Sequence, residues 1–406
     1  MKIPRTAKIS KCRLCFNHHL VKIYSYGNIF VSNFVAKKNI NKGIRAPLNL
    51  VYCKKCRLLQ LQHSAPQEIM YKRFYWYRSG VTNTMKLALK DIYSHVKKMS
   101  ILQRGDTVLD IGANDGTLLK YFRDDNYITV GCEPAKNLIK LLKKNCKYVL
   151  NNFWNSDDLK KMLKKNNIKK PKLITAIGMF YDLENPSKFI ADAAEVLDDN
   201  GVFIAQLMCL DSMLRKNDLG NICHEHLEFY SYDSLKYLFE KNGLKIFKME
   251  ENEVNGGSYR IFCKKNISKS IIYKEKTSLL DIKKFIYRAE KNKKKCLLFL
   301  KKALKKGKKV FVYGASTKGN TLLQYYKINE KLIKFAAERS PEKWGKYTIG
   351  SGIKIISEEN ARKLNPNYFF VLPYGFIKEF IKREKNWLHG GGKFILPYPK
   401  FKVLSK

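Results

Sequence analysis

The sequence predicts an α/β protein: a doubly wound, parallel sheet with a small cysteine-stapled lobe ahead of it and a second α/β unit behind it. Three observations predict this. Short apolar runs alternate with helix-patterned segments from about Gly105 onward, as parallel sheets require. The first run, residues 107–118 (TVLDIGANDGTL), ends in a glycine-rich turn that enters a helix. Two C-x2-C pairs precede it, and another strand–turn–helix (KVFVYGASTKGN, residues 309–320) follows far downstream.

Cys12, Cys15, Cys53 and Cys56 form two knuckles, each presenting two thiolates to one metal. Four thiolates complete a tetrahedral structural zinc site, which staples a segment too short for its own core. The stretch between the pairs alternates and reads as short strands. An aromatic patch, residues 71–79, follows; if extended, it places Tyr75 and Tyr77 on one face. Residues 83–99 read as a helix with Asn83 as its N-cap. After residues 107–118 come YITVGCE (127–133), a helix from Ala135, and a short strand at 147–150. The run LITAIGMF (173–180) is the fourth strand. Asn185-Pro186 then opens a helix, and Asp199-Asn200-Gly201 turns into another buried strand. Residues 268–308 form a basic connecting helix with Phe285, Cys296, Leu297, Phe299, Leu300 and Leu304 as its apolar stripe. Strands at 309–314, 333–337, 368–372 and 393–396 complete the second unit.

The chain has 406 residues, more than one core spans, and divides as 1–68, 69–265, 266–308 and 309–406. No apolar run approaches the roughly 18 residues of a membrane helix. The first residues, MKIPRTAKIS, lack the apolar centre of a signal peptide, so a cytoplasmic location is expected. The formal charge is +44, from 79 Lys and Arg against 35 Asp and Glu. The lysines are spread over nearly every segment, which argues against a nucleic-acid footprint. Such a surplus steers small phosphorylated substrates. Ten cysteines in a cytosolic chain argue against a disulfide framework.

The glycine turn is not the dinucleotide fingerprint, because its spacing is G-x-x-x-G after an acid. A ligand carrying an amine, a carboxylate and a ribose suits it better, and S-adenosylmethionine is such a ligand. Asp110, Gly112, Ala113, Asn114 and Gly116 line the expected site. Glu133 is placed to accept the ribose hydroxyls, and Pro134, Gly178 and Met179 lie at neighbouring strand ends. Tyr181 and Asp182 follow at the same edge. In Asn221-Ile-Cys-His-Glu-His226, an extended backbone puts His224 and His226 on one side and Glu225 on the other. This run suits acid–base chemistry, with a carboxylate that orients the imidazole or raises its pKa. Downstream, Ser316, Lys318 and Asn320 at a helix N-terminus suit a phosphate, and Arg339 lies at a strand end.

With these residues in view, the chain resembles the sugar C-methyltransferases of deoxysugar pathways. The resemblance spans nearly the whole chain and rests on the paired C-x2-C, DIGANDGTLL, CEPA, HEHL followed by YS, NGGS, YGASTKGNT and GGKFILPYP. It implies a zinc-binding lobe, a class I methyltransferase (Rossmann-like) core and a C-terminal Rossmann-like α/β domain. It implies a nucleotide-linked keto-sugar as substrate, methylated at the carbon beside the carbonyl. His226 matches the proposed base, with Glu225 beside it, and Tyr77 matches a tyrosine that reaches the sugar. Departures fall at Cys223, Ile177 and Tyr181, where members often carry Tyr, Asn and His. The rival reading is an RNA methyltransferase with a zinc lobe, with Cys223 as a nucleophile. A zinc-stapled cofactor-binding regulator without catalysis is a third.

Overall fold

The computed structural model describes residues 6–72, 74–274 and 277–405. At its centre is a seven-stranded sheet in the order Lys245–Asn252, Ser258–Lys264, Val202–Met208, Pro171–Ile177, Thr107–Ile111, Ile128–Cys132, Tyr148–Leu150. The five strands from Val202–Met208 to Tyr148–Leu150 are parallel, and Ser258–Lys264 runs antiparallel to both of its neighbours. This is the class I methyltransferase arrangement. Its topological switch point lies between Thr107–Ile111 and Pro171–Ile177, where open sheets bind ligands.

The central strands are buried on both faces, which is why they read as unbroken apolar runs. On one face Phe180, Phe203, Phe239 and Tyr230 pack ring on ring, with Phe180 and Phe239 stacked at 5.6 Å. Each such side chain contributes roughly 1.5–3 kcal/mol by burial. Asn185 caps the helix Pro186–Val196 by accepting from Lys188 N, with proline in the first turn. The helix Asn83–Lys98 is capped by Thr82, which accepts from Met85 N, rather than by Asn83. The third core helix begins at Ile139, because residues 135–138 are used in a turn. The long basic helix is Leu279–Lys305, closed at its start by a Ser278–Asp281 capping box. Its buried stripe includes Phe285, Cys296 and Leu300, whereas Leu304 is exposed.

The C-terminal sheet has eight strands, in the order Lys402–Leu404, Lys393–Leu396, Tyr368–Val371, Val310–Tyr313, Phe335–Glu338, Lys354–Ser357, Tyr347–Thr348, Phe34–Val35. Its last strand comes from the N-terminal lobe. The exchange runs both ways: Glu228–Phe229, directly after the HEH run, pairs with Leu59–Leu61 and extends the N-terminal lobe's own sheet. Arg13, buried in the first knuckle, lies 3.5 Å from the buried Glu228 carboxylate and donates to Leu61 O at 2.6 Å. No helix among the described residues is long and apolar enough to cross a membrane.

Candidate active site

The four cysteines converge. Their sulfurs all lie within 4.8 Å of one another, with Cys12–Cys56 at 3.5 Å and Cys15–Cys53 at 3.4 Å. Sulfurs about 2.3 Å from one zinc ion stand roughly 3.8 Å apart, so the cluster fits a tetrahedral thiolate site. Gln60 Nε2 donates to Cys12 Sγ at 3.2 Å, a contact that suits a thiolate. Each knuckle is followed by a left-handed residue, Phe16 or Arg57.

Beside the glycine turn is a cavity of about 300 Å³, lined by Ile111, Gly112, Asn114, Cys132, Glu133, Pro134, Gly178 and Met179. Glu133 is fixed by two backbone donors, Asn114 N at 2.9 Å and Ala135 N at 2.8 Å. Burial moves its pKa above the ordinary carboxylate value. Gly178 has positive φ, and a side chain there would meet nothing closer than the Tyr181 hydroxyl at 3.9 Å, so it would project into open space. The residues present fit a ribose-bearing cofactor. They include two aromatics that the sequence reading did not single out: Phe153 and Trp154 line this cavity. They follow the third strand at the ligand edge of the sheet, a positional signal that was available.

Three predicted cofactor residues take other roles. Asp110 does not line the cavity; its carboxyl accepts from Thr175 Oγ1 at 2.6 Å inside the sheet, and burial pushes its pKa up to about 7. Ala113 is buried, with its N–H spent on Cys132 O. Gly116 has positive φ and packs on Asn145 and Leu142, so it serves helix packing rather than a ligand.

The aromatic segment roofs the cavity. Tyr75 N donates to Asn137 Oδ1, Ser79 N to Asn114 Oδ1 and Gly80 N to Asp115 Oδ2, each at 2.8–3.0 Å. Tyr75 and Tyr77 face inward with ring centroids 6.3 Å apart, while Trp76 turns the other way to bond Asn33.

A second cavity of about 220 Å³ adjoins the first. Tyr75, Tyr77, Ser79, Ile177, Gly178 and Asp182 line both. The second cavity adds Tyr181, Asp218, Asn221, Cys223, Glu225 and His226, and from the C-terminal domain Ser316, Thr317, Lys318, Tyr374 and Tyr398. The HEH run is not extended. His226 N bonds back to Cys223 O, and the resulting turn separates the two histidines. His226 and Glu225 line the cleft; His224 does not. His224 points into the N-terminal lobe with Nε2 3.0 Å from Ala46 O, and burial pushes its pKa down to about 4.

His226 Nδ1 lies 2.7 Å from Asn221 O. A carbonyl only accepts, so Nδ1 carries the proton and Nε2 keeps its lone pair. Burial, reinforced by the Lys318 charge, holds the ring's pKa well below the ordinary value, so it is neutral at neutral pH. Its orienting partner is thus the Asn221 carbonyl; no hydrogen bond joins it to Glu225 among the described residues. The Tyr181 ring packs edge-on against His226 at 4.5 Å, and its hydroxyl donates to Gly178 O at 2.8 Å. Glu225 is buried, its Oε2 without a hydrogen-bond partner, and its pKa is raised by burial. Burial also pushes the Cys223 thiol up, which leaves it a protonated wall residue and not a nucleophile. Asp182 and Asp218, absent from the expected catalytic set, add two more carboxyls. Burial pushes Asp218 up to about 6.

On the C-terminal side, Ser316 caps its own helix by accepting from Gly319 N at 3.0 Å, and Lys318 Nζ reaches Asn221 Oδ1 at 3.3 Å. Two predicted substrate residues stand elsewhere. Asn320 is fully buried between Ser351 and Asn33. Arg339 pairs with Glu379 at 3.2 Å on the surface. Neither lines the cleft.

Three family matches agree with this architecture. Residues 12–71 match a zinc binding domain, 85–248 a methyltransferase domain, and 253–399 a C-methyltransferase C-terminal domain. The chain is 25% identical to the C-methyltransferase NovU of Streptomyces niveus over 98% of its own length and 97% of that protein. Among solved structures, it is similar to magnesium protoporphyrin IX methyltransferase from Synechocystis with bound SAM. That match is 11% identical, has a TM-score of 0.33, and covers 44% of this chain and 78% of the other. A SAM-dependent methyltransferase from Clostridium acetobutylicum matches at 13% identity and TM-score 0.35, over 45% and 92%. The fold, the cavity beside Glu133 and the domain matches together define an S-adenosylmethionine-dependent methyltransferase. Its C-terminal residues match the C-terminal domain of C-methyltransferases, and its N-terminal residues match a zinc binding domain.

Proposed function

We propose that the protein methylates the carbon beside the carbonyl of a nucleotide-linked keto-sugar, with His226 as the base that enolises it. One observation carries this reading: a neutral imidazole lines a cleft that shares a wall with the cofactor cavity. S-adenosylmethionine, when bound, supplies an electrophilic methyl group. Carbon becomes a nucleophile toward it only after losing a proton, which a C–H beside a carbonyl does when the enolate is stabilised. His226 Nε2 takes that proton, and the Nδ1–H bond to Asn221 O holds the ring as its charge develops. Tyr77, 43% exposed and facing the cleft, supplies a phenol for the enolate oxygen. Tyr181 is a weaker donor, since its proton is committed to Gly178 O; it acts through packing on His226. Lys318 and the start of the helix Thr317–Tyr326 present positive charge to the nucleotide phosphates. A carbon acceptor is supported by the similarity to the C-methyltransferase NovU, and a sugar by the resemblance that HEHL, NGGS, YGASTKGNT and GGKFILPYP carry.

The test is mass analysis of products formed from labelled cofactor and a panel of nucleotide keto-sugars. His226→Ala is expected to lower turnover about 10²–10⁴-fold, the usual contribution of a general base, with cofactor affinity nearly unchanged. Full turnover by that variant removes His226 as the base. A label on oxygen or nitrogen removes carbon as the acceptor.

A further inference from the structure

We infer that Asn221 is a positioning residue: its backbone carbonyl fixes the tautomer of His226, and its side chain ties that carbonyl to the C-terminal domain. The inference rests on the reading of His226 as the base.

Asn221 is 3% exposed and ends the short 3₁₀ turn Leu219–Asn221. Its carbonyl and both side-chain polar atoms are engaged with residues that line the cleft. The carbonyl receives His226 Nδ1–H at 2.7 Å, Oδ1 receives Lys318 Nζ at 3.3 Å, and Nδ2 donates to Asp218 Oδ2 at 3.2 Å. Asp218 also closes the turn from its start, accepting Gly220 N at 3.2 Å. The C-terminal domain grips the same turn at two more points. Asn217 Nδ2 donates to Pro399 O at 2.8 Å, and a Cβ on Gly220 would fall 2.4 Å from the Tyr398 hydroxyl, so that ring is seated against bare backbone. The tyrosine is itself pinned through its hydroxyl to Leu372 O at 2.6 Å.

The imidazole's orientation therefore depends on a turn held from both domains. Nδ1–H can point at only one carbonyl, and that carbonyl moves with Asn221. When the side-chain arms are lost, the last peptide of the turn is held only by the turn's own backbone, through Ile222 N donating to Leu219 O at 3.1 Å, and the carbonyl's grip on Nδ1–H loosens. A base in the wrong tautomer presents a proton where a lone pair is needed.

The test uses the full-length protein labelled with ¹⁵N-histidine, and needs no sugar substrate. The His226 signals are assigned by their loss in His226→Asn. The wild type is expected to show one neutral tautomer, protonated at Nδ1. Asn221→Ala, which removes both arms, is expected to give a mixture of tautomers, with affinity for S-adenosylmethionine within about twofold. Asn221→Asp keeps the acceptor for Lys318 and is expected to restore the Nδ1–H form as the majority species. Lys318→Met removes one arm at a partly exposed position; it carries the test if Asn221→Ala does not fold, and is expected to give a smaller shift of the same sign. A single Nδ1–H tautomer in every folded variant of this set overturns the inference. Because the readout is spectroscopic, a protein that shifts tautomer yet turns over no keto-sugar upholds the positioning role and sinks the enolisation reading separately.

Discussion

Two turns of the same design head the two α/β units, and only in the first does the bracing acid border a ligand cavity. In the first, the acid at the end of the next strand, Glu133, accepts the turn's Asn114 N and its own neighbour Ala135 N. In the second, Glu338 at the corresponding strand end accepts the turn's Ala315 N at 2.9 Å, and Arg339 N and Ser340 N. The difference is what stands next to the acid. Glu133 forms no ion pair among the described residues and borders the 300 Å³ cavity. Glu338 is met by Lys343, whose Nζ lies 3.5 Å away and donates to Ala315 O at 2.8 Å. Close glycine packing is common to both: a Cβ on Gly314 or Gly319 would fall 2.6 Å from Pro373 or Leu372, and one on Gly112 or Gly116 would fall 2.7 Å from Met179 or Asn145. A strand–turn–helix with a distal acid is thus a way to brace a turn. The acid itself faces a cavity only where no lysine covers it.

The largest expected effect breaks the open member of the pair. Glu133→Ala removes the proposed ribose acceptor and its two backbone partners, each hydrogen bond to a charged group being worth about 1.5–3 kcal/mol. Affinity for S-adenosylmethionine, read by titration calorimetry, is expected to fall by about 100-fold or more. Unchanged affinity would place the cofactor elsewhere. The matched change in the closed member, Glu338→Ala, strands three backbone N–H groups and the Lys343 ammonium. It is expected to lower unfolding stability by about 2–3 kcal/mol in denaturant titrations, with cofactor affinity within twofold. A large loss of affinity there would mean that the second turn also takes part in holding the cofactor.

A third effect separates the units by pH. Asp110 lies inside the first sheet with its pKa raised to about 7 by burial, against about 4 when unfolded. Between these values the folded chain holds a proton that the unfolded chain has lost, so stability falls as pH rises through that window and levels off above it. The slope is at most about 1.4 kcal/mol per pH unit. Asp110→Asn is expected to flatten it. An unchanged slope between pH 4 and 7 would assign the proton to another group.

What the sequence made legible was local. The glycine turn, the Asn185 cap and the knuckle spacing depend on residues a few positions apart, and each is where its pattern puts it; the fourth strand, read as 173–180, is Pro171–Ile177 and stops where Gly178 takes positive φ. The HEH geometry was not legible, because alternation of faces holds only for extended chain. The turn closed by His226 N and Cys223 O is stabilised by Ala46, more than 170 residues away. Asp110 misled for a related reason: a carboxylate at a strand's end reads as a ligand, and only the neighbouring strand reveals Thr175 as its partner. Asn320 and Arg339 were placed by proximity to a turn whose far side proves to be packed or turned to solvent.

The crossed strands set a timetable for synthesis. Phe34–Val35 finds its partner only when Tyr347–Thr348 emerges, more than three hundred residues later. At about 5–20 residues per second, that is a wait on the order of 15–60 s. The cysteine knuckles are complete by residue 56, so a captured ion can keep the nascent lobe in shape through an interval when its hydrogen-bonding edge has nothing to pair with.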